Sequence, residues 1–216
     1  MATLCPRSAD YRLARQRLAD TLSRNGACSG RILDAVYTVP RHIFVSEALR
    51  YRAYEDSSLP IGHGQTISKP STVAKMLQAL NLLGDERVLE IGSGTGYQSA
   101  LLSLLAGAVV TMERIEELYK RARENLLIHL NLKNVTVLHG EDPVRVAGEF
   151  DAVVVAAGAD SLPEELFGLL REGGVLMIPV ADRGGQALRR YVKRPGGAIV
   201  EDHYGDARFV PLVRGG

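Results

Sequence analysis

From residue 71 onward the apolar positions fall into two alternating regimes. Short runs at 87–91, 108–112, 135–138, 152–155 and 175–178 are nearly continuous in Val, Leu, Ile and Met, as strands buried on both faces are. Between them, 97–105, 115–129 and 163–170 read as helices, and in the second Leu118, Ala122, Leu126 and Leu130 recur at helical spacing. A further helix over 71–80 precedes the first strand. Strands and helices in alternation predict a doubly wound α/β fold around a mostly parallel sheet.

The flanks follow other patterns. Residues 11–23 set Leu13, Leu18 and Leu22 among arginines and stop at Asn25-Gly26, a surface helix with a clear end signal. A second helix over 31–38 is closed by Pro40, because the residue before a proline is pushed out of the helical region. These form an N-terminal helical extension. From 41 to 68 the periodicity fails, and Pro60, Gly62 and Gly64 mark irregular backbone; Ile43, Phe44, Val45, Leu59 and Ile61 argue for a packed loop. At the other end 187–193 and 209–213 flank turn-rich Arg194-Pro-Gly-Gly197 and His203-Tyr-Gly-Asp206, and are expected to pair as an antiparallel C-terminal edge. The 216 residues suit one domain, expected as extension and loop (1–70), α/β core (71–180) and edge strands (181–216).

Composition removes several function classes. Lysine plus arginine number 26 against 25 acids, a formal charge of +1, so nothing calls for a nucleic-acid or anionic-membrane partner. Residues 1–10 lack a secretory apolar core, and the longest apolar stretches, 100–110 and 152–159, fall short of the ~20 residues that span a bilayer. A cytoplasmic monomer is expected. Cys5 and Cys28 lie far apart without a histidine set, and His42, His129, His139 and His203 show no ligand spacing, so neither a disulfide nor a metal is expected.

Chemistry concentrates in two glycine loops. Val88-Leu-Glu-Ile91 reads as the first parallel strand, which puts Gly92-Ser-Gly-Thr-Gly96 at its carboxyl end, where open α/β sheets bind ligands. Tyr97 stands where the dinucleotide fingerprint has its last glycine, which demotes nicotinamide and flavin dinucleotides. Glu113 ends the next strand, placed for a ribose hydroxyl pair, and Glu141 and Asp142 follow the third, within reach of an adenine amino group. One acid at a strand end reads first as a solvated loop residue; the loop and acids together are more specific. The other loop, Pro60-Ile-Gly-His-Gly-Gln-Thr-Ile-Ser-Lys-Pro70, joins flexible backbone to hydroxyls and carries no carboxylate.

The loop with its acids resembles a class I S-adenosylmethionine-dependent methyltransferase. Val39-Pro-Arg-His-Ile-Phe-Val45, Tyr54-Glu-Asp56, Leu59-Pro-Ile-Gly-His-Gly-Gln-Thr-Ile-Ser68, Glu113-Arg-Ile115, Phe150-Asp-Ala152, Gly173-Gly174, Ile178-Pro-Val180 and Phe209-Val-Pro-Leu212 narrow the likeness. Over nearly its whole length the chain resembles bacterial protein-L-isoaspartate O-methyltransferases, with Gly-x-Gly-Gln-Thr-Ile-Ser the most diagnostic block. The resemblance implies a seven-stranded methyltransferase sheet, S-adenosyl-L-methionine as cofactor and S-adenosyl-L-homocysteine as product. It implies a repair enzyme that methylates the α-carboxylate of L-isoaspartyl residues in damaged proteins or peptides; the ester closes to a succinimide, whose hydrolysis returns some normal aspartate.

By the same resemblance Ser68 is the active-site residue and Thr66 its companion, within a substrate-binding segment of Ile61, Gly62, His63, Gly64, Gln65, Thr66, Ile67 and Ser68. Glu90, Gly92, Ser93, Gly94, Thr95 and Gly96 would hold the cofactor, with Glu113 on its ribose. The chain departs from the family at Gly140-Glu-Asp-Pro143, in place of Gly-Asp-Gly, which leaves the adenine contact open between Glu141 and Asp142. It departs again at Ala156-Ala-Gly-Ala159, at the rim of the site.

Residue chemistry agrees with that reading. A carboxylate is already ionised near pH 7, so its attack on a sulfonium methyl needs no general base. It needs alignment, which can supply roughly 7 to 11 kcal/mol. A neutral hydroxyl suits that task, whereas an arginine fork would favour the ground-state charge that disappears as the bond forms. Ser68 has a competing reading as N-cap of the helix after Pro70, compatible with a functional role. His63 is read as lining the loop rather than as a base, and Tyr54 as packing. A methyltransferase acting on RNA or a small molecule would share the cofactor loop but lack the Gly-x-Gly-Gln-Thr-Ile-Ser block; a non-catalytic module that binds cofactor or damaged protein would keep both loops.

Overall fold

Period-two alternation along the central strands divides their side chains between two cores. In the computed structural model, which describes residues 10–212, β3 (Arg87–Ile91), β4 (Ala108–Glu113), β5 (Val135–His139), β6 (Phe150–Val155) and β7 (Leu170–Asp182) run parallel. Val88, Val109, Ala152 and Val154 enter one core with the helices, while Leu89, Val110, Val153 and Val155 enter the other. The sheet is completed by β8 (Gly185–Lys193) and β9 (Ile199–Ala207), each antiparallel to its predecessor, in the order β5-β4-β3-β6-β7-β8-β9. Seven strands, mostly parallel, with an antiparallel C-terminal edge, are thus present.

Helices α1 (Asp10–Arg24), α2 (Arg31–Thr38), α3 (Pro70–Leu80), α4 (Tyr97–Ser103) and α5 (Glu116–Arg123) bury Leu22, Val36, Leu77, Leu101 and Leu118 in the first core. α5 continues as a π-helix over Glu124–His129 rather than as the uniform α-helix expected over 115–129. The second core is closed by Leu166 and Leu169. The helix expected at 163–170 is only a six-residue 3-10 helix, Glu164–Leu169. Pro163 opens it, and Leu170 already belongs to β7.

The C-terminal pairing differs from the expectation. β8 pairs with β9, which includes the stretch read as turn-rich, and 209–212 forms no edge strand; Val213 lies outside the described residues. β9 is exposed at nearly every position and mixes Glu201, Asp202 and Asp206 with apolar residues, so it carries no alternation for a pattern to register. Beyond it the chain turns back across the carboxyl ends of the strands. There Gly158 donates to the Val210 carbonyl at 2.8 Å and Leu212 to the Gly158 carbonyl at 2.7 Å.

Cys28 is buried and free, with its thiol pushed up to about 11 by burial; Cys5 lies outside the described residues. Among the described residues no helix is long and apolar enough to cross a membrane, and no cluster of histidine, cysteine or acids could hold a metal.

Candidate active site

The segment from 41 to 68 is a packed structure. Its end folds into a hairpin of β1 (Leu59–Gly62) and β2 (Gln65–Ile67), strands too short for a sequence pattern to reveal. His63 (φ 55°) and Gly64 (φ 70°) turn it, supplying the two positive φ angles that a primed two-residue loop needs. Leu59, Ile61 and Ile67 point inward, so Thr66 is left at the surface between Gln65 and Ile67.

A fully buried arginine holds this segment to the body. Arg41, 0% exposed, donates from Nε to the Ala53 carbonyl at 2.8 Å, from Nη2 to Ser57 at 3.1 Å and from Nη1 to Ser68 at 3.2 Å. Its guanidinium also lies over the Tyr97 ring, 4.9 Å from the centroid, and burial pulls its pKa below the ordinary value. Sequence reasoning gave Arg41 no role, because an isolated arginine carries no mark of burial. His42 bonds the Tyr54 hydroxyl at 2.7 Å and stacks on Tyr11; burial, then Arg50 and Arg15, pull its pKa down to about 4, so it packs as a neutral ring.

Ser68 does not cap α3. Lys69 occupies the N-cap position without a side-chain bond, and the Asp56 carboxylate accepts the Ser71 N–H at 2.7 Å in its place. The Ser68 and Thr66 hydroxyls make no hydrogen bond among the described residues.

The cofactor loop leaves β3 beside β6, where crossovers diverge to opposite sides of the sheet. Gly92 and Ser93 donate backbone N–H groups to the Met112 carbonyl at 2.9 and 3.1 Å, and Gly94 donates to Glu113 Oε2 at 2.8 Å. Ile115 donates to Glu113 Oε1 at 3.0 Å. Glu113 is thereby fixed at the end of β4, with lone pairs on both oxygens still free to accept hydroxyls. Thr95 turns its hydroxyl to the Phe44 carbonyl at 2.7 Å, and its own carbonyl receives Asn125 Nδ2 at 2.9 Å. A Cβ at Gly96 would lie 2.9 Å from Leu126, so this glycine serves packing against the helix after β4.

Glu90 lies entirely inside. Its Oε2 accepts the hydroxyls of Ser99 and Thr111, while Oε1, with the Gln98 amide nearby, makes no hydrogen bond of ordinary geometry among the described residues. Burial lifts its pKa to about 7, against the opposing pull of those two hydroxyls. Ser93 Oγ is also buried without a hydrogen-bond partner among the described residues.

Three spaces meet at these residues. One cavity is lined by Ile61, Gln65 and Thr66 of the hairpin, by Gly92, Gly94 and Glu113, and by Gly140, Glu141, Ala156 and Leu212. It shares Ile91, Met112, Gly140, Glu141 and Leu212 with a neighbouring cavity of about 710 Å³ that extends past Asp142 and Pro143. A smaller space joins Thr66, Ile67 and Ser68 to Glu90, Gly92, Ser93, Gly94 and Thr95. On its outer side Ser68 also borders a cleft of about 690 Å³ with Ser58, Lys69, Thr72, Gln186 and Arg208. Gly62, His63 and Gly64 form the exposed hairpin tip and line none of these spaces.

The two acids after β5 differ. Asp142 is committed to the Val144 N–H at 3.1 Å and to Arg145 at 2.9 Å, whereas Glu141 borders both cavities. The donor set is carboxylates, hydroxyls and glycine backbone rather than a cluster of cations. It fits a nucleoside without phosphate, and Glu90 Oε1 and Ser93 Oγ beside it, neither with a hydrogen bond of ordinary geometry among the described residues, fit the polar tail of such a ligand.

A family model for protein-L-isoaspartate(D-aspartate) O-methyltransferase matches residues 13–216. The chain belongs to this family. A protein-L-isoaspartate O-methyltransferase of Stenotrophomonas maltophilia is 44% identical over 203 residues, covering 93% of this chain and 89% of the relative. Another, protein-L-isoaspartate O-methyltransferase 2 of Geotalea uraniireducens, is 45% identical over 204 residues, covering 93% and 94%. Among solved structures, a Plasmodium falciparum chain assigned to protein-L-isoaspartate O-methyltransferase, in complex with S-adenosyl-L-homocysteine, superposes with a TM-score of 0.81. It is 28% identical, over 93% of this chain and 99% of its own. As a member of this family, the chain uses S-adenosyl-L-methionine and acts on isoaspartyl residues of proteins in repair.

Proposed function

We propose that methyl transfer to the α-carboxylate of an L-isoaspartyl residue takes place at the junction beside Ser68 and Thr66. The observation that carries this reading is the position of Ser68, on the inner side facing the Gly92–Gly94 loop and on the outer side bordering the open cleft. A peptide entering by that cleft reaches the Ser68 hydroxyl first and Thr66 only at the cofactor cavity. Glu113 would hold the ribose hydroxyls and Glu141 the adenine amino group, since Glu141 borders the cavity that contains Glu113 whereas Asp142 borders only its neighbour. Gly92, Ser93 and Gly94 would cradle the amino-acid portion.

When bound, S-adenosyl-L-methionine supplies a methyl group on a cationic sulfur. The protein's share of the work is placement. Thr66 and Ser68 donate neutral hydrogen bonds to a carboxylate that arrives ionised, which orients one oxygen without requiring proton removal. Because neither hydroxyl has a hydrogen bond among the described residues, binding substrate there breaks none of them. The hairpin and the 209–212 segment border the space and help exclude water.

The reading takes the substrate to be damaged protein rather than nucleic acid or membrane, and the working unit to be one domain acting as a monomer. The formal charge of +1 supports the first point, and the first core, which joins α1–α5 to the sheet, supports the single domain. Mass analysis of an isoaspartyl peptide incubated with enzyme and cofactor tests the chemistry. The peptide should gain one methyl group and then lose methanol as the succinimide closes. A stable ester that never loses methanol would place the methyl elsewhere.

A further inference from the structure

α5 and its π extension reach both loops of the site with side chains four residues apart. Arg121 donates from Nη1 to the Ile61 carbonyl in β1 at 2.7 Å, and Asn125 from Nδ2 to the Thr95 carbonyl in the cofactor loop at 2.9 Å. A spacing of four sets both on one side of a helix. The change to π geometry begins at Glu124, next to Asn125, and such bulges re-aim the side chains they carry. Ile61 in turn sits against the cofactor loop, since a Cβ on Gly94 would lie 3.0 Å from Ile61 Cδ1.

Apart from Arg121, the hairpin is held by apolar packing of Leu59, Ile61 and Ile67 and by Arg41 at its base, and among the described residues no other side-chain hydrogen bond reaches β1 or β2 from the cofactor side. β1 and β2 form a two-stranded sheet of their own, with no ladder bonds to the main sheet. Its Ile61, Gln65 and Thr66 nevertheless border the cofactor cavity. Thr66 pairs with Pro60, the residue before Ile61, so a displacement of β1 moves Thr66 with it.

We propose that Arg121 is the latch of this hairpin: a positioning residue that holds β1–β2 over the cofactor cavity and so sets both cofactor residence and the placement of Thr66. The inference rests on the methyltransferase reading of that cavity. A guanidinium-to-carbonyl bond is charge-assisted and among the stronger single contacts a loop can make. A ligand leaving from under Ile61 and Thr66 displaces the hairpin, and the Arg121 bond breaks in that step. Lids of this kind commonly govern product release. Without the bond the open form gains population, so the product leaves sooner and the acceptor meets a less well-placed hydroxyl.

Arg121→Ala and Arg121→Lys in the full chain test this by stopped-flow release of S-adenosyl-L-homocysteine, beside thermal unfolding without ligand. Arg121→Ala should release the product about three- to tenfold faster, the loss of one such bond on a partly exposed hairpin, with an unfolding midpoint near that of the wild type. Arg121→Lys, which keeps a cationic donor, should recover part of the slow release. An unchanged release rate, with or without a lowered midpoint, would mean that Arg121 is only structural and would overturn the latch. The release measurement needs no acceptor peptide. Failure of the wild type to methylate isoaspartyl peptide while binding the product normally would count against the functional reading alone.

Discussion

Replacing Arg41 by lysine keeps a cation at the same buried point and removes the fork that makes it useful. The guanidinium makes three hydrogen bonds from three different nitrogens, to Ala53, Ser57 and Ser68, and stacks on Tyr97. An ammonium on a flexible stem cannot span those three carbonyls, so at least two bonds are lost. At ~1.5 kcal/mol for each bond to a charged donor and ~1 kcal/mol for the ring contact, Arg41→Lys should cost about 4 kcal/mol. The cost of burying the charge stays, so nothing offsets the loss. That is a large part of a typical domain stability of about 5–15 kcal/mol. Guanidinium chloride unfolding with linear extrapolation gives the number, and turnover per folded molecule gives the second readout. Release of the Ser68 carbonyl should lower turnover by about tenfold or more, through misplacement of the neighbouring hydroxyl. A loss below ~1 kcal/mol with wild-type turnover would refute the claim that this guanidinium holds the substrate segment.

Ser68→Ala should lower kcat by roughly 10- to 100-fold while leaving calorimetric affinity for S-adenosyl-L-homocysteine unchanged, and Asp56→Ala should cost ~1 kcal/mol as the true cap of α3; a stability loss for the serine variant without a rate loss would reverse these assignments. Gly94→Val forces a β-branched side chain into φ +55° with its Cβ 3.0 Å from Ile61 Cδ1, so cofactor affinity measured by calorimetry should fall by at least about tenfold. Unchanged affinity would show that the hairpin yields without consequence. Burial holds Glu90 above its ordinary value of 4.5, up to about 7, so the stability it contributes is complete below about 4.5 and is lost as pH rises through about 7. Unfolding of the ligand-free wild type against Glu90→Gln should therefore show the wild type losing up to ~3 kcal/mol relative to the variant across that window, and a flat difference would mean that the carboxyl is not desolvated.

The parallel core was legible because strands buried on both faces write themselves as continuous apolar runs, and β3, β4, β5 and β6 begin or end within a residue or two of the positions that pattern implies. The hairpin and β9 were not legible, for opposite reasons. β1 and β2 are three or four residues long, below the length at which alternation registers, and β9 is exposed on both faces. At the site, glycines and acids advertised themselves through backbone freedom and strand-end position. Arg41, Arg121 and Asn125 did not, because each acts on a main-chain carbonyl whose place is set by the fold. In Thr95 and Gly96 the sequence signal for a ligand loop is mixed with packing against Phe44 and Leu126.

The central claim is that the site positions a carboxylate the substrate brings with it, and a paired transfer assay tests it most directly. Two peptides of identical sequence, one with L-isoaspartate and one with normal aspartate, are incubated with enzyme and cofactor carrying a labelled methyl group. The account predicts label in the isoaspartyl peptide and essentially none in the other. Equal labelling of both peptides, or labelling of neither, would contradict it.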